Sequence, residues 1–160
     1  MAKPLTSVAE ELRQNRPFAT SAEETVVAVM RTAALIKRAI SQQVEPFGVS
    51  LAQYNVLRIL RGAGAEGLPT LAVRDRLIEE APGITRLIDK LEAAKLVRRD
   101  RTGRDRRTVR CHITDSGRKL LEELDLSLRG GQELVAAGLP DPAAQHRLIE
   151  MLAQVRSGIR

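Results

Sequence analysis

Seven arginines crowd the segment from Arg98 to Arg110, at positions 98, 99, 101, 104, 106, 107 and 110, against two aspartates, Asp100 and Asp105. Seven positive and two negative side chains leave +5 locally, within a formal net charge of +6 for all 160 residues. The rest of the chain is therefore close to neutral. A field held in one short stretch draws a polyanion to a defined place, which a high isoelectric point alone does not do. Guanidinium groups donate bidentately to guanine, pair with phosphates, and on a protruding ribbon fit a narrow, electronegative minor groove. Double-stranded DNA is the expected partner.

Two elements must carry those groups. Ala81-Pro82-Gly83 opens a helix, because proline suits a first helical position whose N–H has no intrahelical partner. Ile84, Leu87, Ile88 and Leu91 then recur at helical spacing and must be buried, which leaves Gly83, Thr85, Arg86, Asp89 and Lys90 on or near the open face. Such a face suits a major groove: Gly83, Thr85 and Arg86 would approach bases, and Lys90 with the flanking arginines would contact phosphates. Taken alone it also describes a solvated helix. The adjoining hairpin favours the first reading. Leu96-Val97 starts an extended run, Thr102-Gly103-Arg104-Asp105 supplies a turn, and Val109, Cys111 and Ile113 alternate with Arg110 and His112 as a half-buried strand. At its tip, Arg104-Asp105-Arg106-Arg107, Asp105 would order one guanidinium while Arg106 or Arg107 enters the minor groove, all four lying at the DNA.

Upstream, Ser7-Val8-Ala9-Glu10 suggests a short capped helix ended by Asn15-Arg16-Pro17, part of a mobile or dimer-packed arm. A capping box at Ser21-Ala22-Glu23-Glu24 introduces a long helix to Val44, whose apolar residues Val26, Val27, Met30, Ile36 and Ile40 span an arc wide enough for two partners. Glu45-Pro46-Phe47-Gly48 breaks it. Ser50 caps the next helix, which buries Tyr54, Leu57 and Leu60 and stops near Gly62, and the glycine-rich run 62–67 is expected to be a flexible linker. Leu68-Pro69 suggests a short edge strand, and Thr70 is expected to cap a helix through Ile78 that crosses the DNA backbone. Past the hairpin, Thr114 or Asp115 starts a helix with Leu120, Leu121, Leu124 and Leu128 inward, and Gly130-Gly131 should interrupt it. After Gly138-Leu139-Pro140, Asp141 caps a last helix burying Leu148, Ile149, Leu152 and Val155. The expected fold class is mainly α with a small β-hairpin wing (α+β): a winged helix-turn-helix with a terminal-helix dimerisation region. Residues 1–48 would form the arm and long dimerisation helix, 49–114 the DNA-binding region and 115–160 the C-terminal dimerisation helices, in one continuous domain.

Thr85-Arg86-Leu87-Ile88-Asp89-Lys90-Leu91-Glu92, then Leu96-Val97-Arg98-Arg99, the tip Asp105-Arg106-Arg107, and Ile113-Thr114-Asp115-Ser116-Gly117 follow one another in an order and spacing that resembles the MarR-type winged helix-turn-helix transcription regulators. The resemblance extends loosely from Val49 to the C-terminus. It departs from the family at Val73-Arg74, where Leu-Ala is usual. It implies an obligate homodimer on a pseudo-palindromic operator, often a repressor released by a small molecule or by oxidation. The effector's place would be the cleft between the winged and dimerisation parts, with no polar set there to name from sequence.

Composition narrows the alternatives. With 43% hydrophobic and 29% charged residues the chain has an ordinary globular balance, and its only aromatics are Phe18, Phe47 and Tyr54, so single-strand binding by base stacking is not expected. One cysteine excludes an internal disulfide. On a strand, Cys111 and His112 point to opposite faces and cannot form a thiolate–imidazole pair, and Cys111 is expected as a small buried residue. With His146 distant, no metal set, nucleophile–base pair or phosphate loop is visible, so neither enzyme activity nor a cofactor is expected. No leader pattern is visible, and no apolar run approaches the roughly 20 residues that cross a bilayer. A cytoplasmic protein without membrane contact is expected. A nonspecific nucleic-acid architectural protein and a helical partner-binding protein remain open as other classes.

Overall fold

Capping chemistry sets most of the helix starts. In the computed structural model, which describes residues 6–79, 83–100, 109–127 and 129–159, the elements are α1 (Val8–Glu11), α2 (Ser21–Val44), α3 (Leu51–Gly62), β1 (Leu68–Pro69), α4 (Thr70–Arg74), α5 (Ile84–Ala93), β2 (Val97–Asp100), β3 (Arg110–Ile113), α6 (Asp115–Ser127), α7 (Arg129–Gly138) and α8 (Pro142–Ser157). Ser7 and Ser50 make complete capping boxes with Glu10 and Gln53. Asp141 accepts from the Ala143 and Ala144 N–H groups. At α2 the cap lies one residue earlier than expected and is not a full box: Thr20 accepts from the Glu23 N–H, while the Glu23 carboxylate accepts from the Ala19 N–H, one residue ahead of the cap.

Three expected boundaries move. Thr70 does not cap α4, because Pro69 holds the cap position and makes no side-chain cap bond. The helix also ends at Arg74 rather than Ile78, since the chain tightens into turns in which Arg76 and Leu77 donate to carbonyls three residues back. The break in the C-terminal helix falls between Ser127 and Arg129, ahead of the glycine pair, which lies inside α7. Leu128 lies outside the described residues.

Strands order as β1-β3-β2, all antiparallel, with Leu68 opposite Cys111 and Val97 opposite Ile113. The expected hairpin is present, and β1 adds an edge to it. Run 62–67 is not a plain linker. It contains a 3-10 turn, Gly64–Glu66, and Gly67 adopts φ 58°, ψ −171°, where a Cβ would lie 2.6 Å from the Cys111 carbonyl and the His112 ring. Only glycine fits there.

Helix α3 is the hub, with Tyr54, Val56, Leu57 and Leu60 buried and contacts to α2, α5, α6 and β3. Ile88 and Leu91 of α5, Val97, Cys111, Leu121 and Leu124 close the core around it. Helix α5 ends in a Schellman motif: Lys95 donates to the Glu92 carbonyl and Leu96 to that of Leu91. Lys95 occupies the left-handed position at φ 58°. Lys95→Gly should therefore raise stability by about 1 kcal/mol, read from a denaturant midpoint. Outside the core, α8 buries no residue, and the arm helix α1 lies on α2 of its own chain with Glu11 paired to Arg31 at 3.2 Å.

Candidate nucleic-acid interface

The amphipathic pattern of α5 places the candidate groups. Its inner stripe, Ile84, Ile88 and Leu91, is buried and Leu87 is half-buried. Gly83, at the cap position, and Thr85, Arg86, Asp89 and Lys90 are all exposed. The helix begins at Ile84, later than the expected start at Pro82. Among the described residues, the side chains of Arg86 and Lys90 meet no hydrogen-bond or ion-pair partner, so two cations stand open on the face opposite the core. Thr70 is half-buried, with its hydroxyl 3.6 Å from the Cys111 sulfur. Pro82 and the tip residues Arg104, Asp105, Arg106 and Arg107 lie outside the described residues.

The arginines flanking the tip do not all face outward. Arg98 is exposed and lies 3.6 Å from Asp100. Arg110 donates to the carbonyls of Glu66 and Gly67, at 2.9 and 3.4 Å, bracing the β1 edge. Arg99 is turned onto α5: its guanidinium meets Asp89 at 2.6 Å, Glu92 at 2.9 Å and the Thr85 carbonyl at 3.3 Å. Its burial would lower the guanidinium pKa, but the hydrogen bond and charge of Asp89 and the charge of Glu92 outweigh that and hold it above the ordinary value. Phosphate contact was expected from these flanking arginines. In the structure Arg99 and Arg110 make these internal contacts, which brace α5 and the β1 edge. The i, i+3 spacing of Asp89 and Glu92 puts both carboxylates on one flank of the helix, but which arginine they hold is set by the packing of β2 beside it.

Two further ion pairs tie the winged part to its neighbours. Lys37 of α2 holds both carboxylate oxygens of Glu79, at 2.7 and 2.8 Å, just ahead of the segment leading into α5. Arg61 of α3 meets Asp125 of α6 at 2.6 Å. Beside the Lys37–Glu79 bridge lies a cleft of about 510 Å³ between α2, α3 and residues 77–79, walled by Ile36, Ile40, Leu51, Tyr54 and Leu77. Burial pushes the Tyr54 phenol pKa up, opposed by Arg58, which stands 5.6 Å from the ring centroid. None of these long-range contacts has a local signature.

Two short helices, the second presenting open cations beside an antiparallel wing, define the winged helix-turn-helix class of DNA-binding transcription regulators. The family model described as transcriptional regulator SarA/Rot matches residues 38–124, and the chain belongs to that family. The HTH-type transcriptional regulator YwoH of Bacillus subtilis is 32% identical over 113 residues, covering 71% of this chain and 80% of its own. A crystal structure of a MarR transcription factor from Planctomyces limnophilus is 37% identical, covers 86% of this chain and 99% of that one, and has a TM-score of 0.63. The M. tuberculosis transcriptional regulator MosR, solved in complex with DNA, is 25% identical over 83% of this chain and 96% of its own, with a TM-score of 0.64. The protein is a DNA-binding transcription regulator of the MarR winged-helix type, and regulators of this kind are not enzymes. Among the described residues, no helix is long and apolar enough to cross a membrane.

Proposed function

We propose that the protein is a cytoplasmic, homodimeric, sequence-specific repressor that reads a pseudo-palindromic operator and is released from it by a small-molecule effector. The observation that carries this reading is the open face of α5, where Thr85, Arg86 and Lys90 are exposed opposite a buried stripe and beside the wing. Gly83, Thr85 and Arg86 approach bases, Lys90 meets a phosphate, and Thr70 and Pro82 bring α4 and the start of α5 to the backbone. Asp105 orders the wing tip while Arg106 or Arg107 enters the minor groove, with Arg104 a further DNA contact of the tip. Residues 1–48 and 115–160 supply the dimer contacts around the 49–114 reader. Two-fold symmetry puts the half-sites one DNA turn apart, roughly 10 bp. The cleft beside Lys37–Glu79 has the apolar walls an effector needs and adjoins the segment that enters α5.

The test starts from duplexes selected by the protein from a random pool, with transcription in vitro from a promoter carrying the selected site. Arg86→Ala should relax preference at one position of each half-site, at a cost of about 1–3 kcal/mol on the selected duplex and little on random DNA at the same salt. Equal losses on both would show that Arg86 reads no base. A wild-type protein with no preferred duplex would fit a nonspecific architectural protein instead.

A further inference from the structure

We propose that Arg99 is a positioning residue that locks α5 to the wing so that both meet DNA as one rigid reader; this rests on the DNA-reading function proposed above. From β2, where it stands opposite Cys111, Arg99 reaches three points on α5: Asp89 Oδ1, Glu92 Oε2 and the Thr85 carbonyl. Those residues lie along two turns of one flank, so the planar guanidinium fixes the rotation of the helix as well as its distance from the strand. Glu92 grips the same residue twice, since its Oε1 also accepts the Arg99 backbone N–H at 3.1 Å. Strand main chain and side chain are thereby held by one carboxylate. The Arg99 side chain is only 22% exposed, which sets this cluster apart from an ordinary surface ion pair. Thr85, whose carbonyl is held, directly precedes Arg86. A small rotation of α5 would carry Arg86 away from a base edge, where hydrogen bonds tolerate little misalignment.

The sign of the carboxylates makes the inference testable. Asp89 and Glu92 stand beside a face that must approach phosphates, so on charge alone their removal should strengthen DNA binding. As alignment groups, they should weaken it when removed. The experiment measures binding of the full chain to its selected duplex and to random duplex over a range of salt, for Arg99→Lys, Glu92→Gln and the double variant Asp89→Asn/Glu92→Gln, with melting curves to confirm folding. Expected is a roughly tenfold fall in the ratio of selected to random affinity for Arg99→Lys and the double variant, comparable to one good base contact, with the salt slope unchanged. Glu92→Gln, which keeps the fork partly bonded, should fall between these and the wild type. Tighter binding of both duplexes by the carboxylate variants would overturn the proposal. So would an equal loss on both duplexes from Arg99→Lys, which would show that Arg99 does not align base contacts. If the wild type itself prefers no duplex, the DNA-reading function fails and this inference with it.

Discussion

Met30→Glu combined with Ile149→Glu should split the homodimer proposed above into single chains and lower affinity for its selected duplex by two to four orders of magnitude. Met30 is 68% exposed and Val26, one turn before it on α2, 58%; on α8, Ile149 is 60% and Met151 54% exposed. Val26 and Met30 share one face of α2, and Ile149 stands exposed on α8, so these are apolar side chains that a second chain would cover. Removing such a side chain from water is worth about 1.5–3 kcal/mol, and a glutamate in its place adds the cost of desolvating a charge. Neither position belongs to the folded core, so the single chain should keep its stability. Operator binding should not survive. Each half-site would then be held alone, and losing the high effective concentration supplied by a linked second reader costs on the order of 10²–10⁴ in affinity. Sedimentation and duplex titration read the two effects. A double variant that still sediments as two chains would remove these helices from the interface.

Gly117→Ala should produce the second large effect, this time on folding. A Cβ at Gly117 would collide with the backbone carbonyl of Leu96 and lie 2.8 Å from Ile113 Cγ1. The carbonyl cannot easily retreat. It accepts the Thr114 N–H at 3.0 Å, while the Thr114 hydroxyl donates to the Lys95 carbonyl at 2.7 Å and accepts from the Gly117 N–H at 3.1 Å. The first turn of α6 is thus stitched to the Schellman end of α5. One methyl group would have to force α6, β3 and α5 apart. Overpacking costs typically about 1–3 kcal/mol, and backbone on the opposing side places this case toward the upper end. At roughly 2–4 °C per kcal/mol for a chain of this size, the melting temperature should fall by about 5–10 °C. An unchanged melting temperature would mean that the junction yields freely.

The motif Thr114-Asp115-Ser116-Gly117 shows how far local sequence carries. Its helix-starting role was legible, because a threonine ahead of a leucine stripe is a cap signal. The reason for its glycine was not, since the carbonyl that excludes a side chain belongs to Leu96 on another element. Arg99 repeats the lesson with charge. Composition marked it as one of seven cations facing a polyanion, but its carboxylate partners lie on α5, and only the packing of β2 beside that helix shows that it is held internally. Gly67 and the 62–67 run were read as a plain linker for the same cause: the groups they touch, Cys111 and His112, lie more than forty positions away in the chain.

By itself the sequence determined the register of most helices, the caps of α1, α3 and α8, the buried stripe of α5 and hence which of its side chains face away from the core. All of these follow from interactions between residues three or four apart. Tertiary structure alone decided which cations remain open, where the Lys37–Glu79 bridge and its cleft form, and which apolar residues of α2 and α8 stay uncovered. Those depend on which elements meet, and pairing over tens of residues leaves no periodicity in the chain to read.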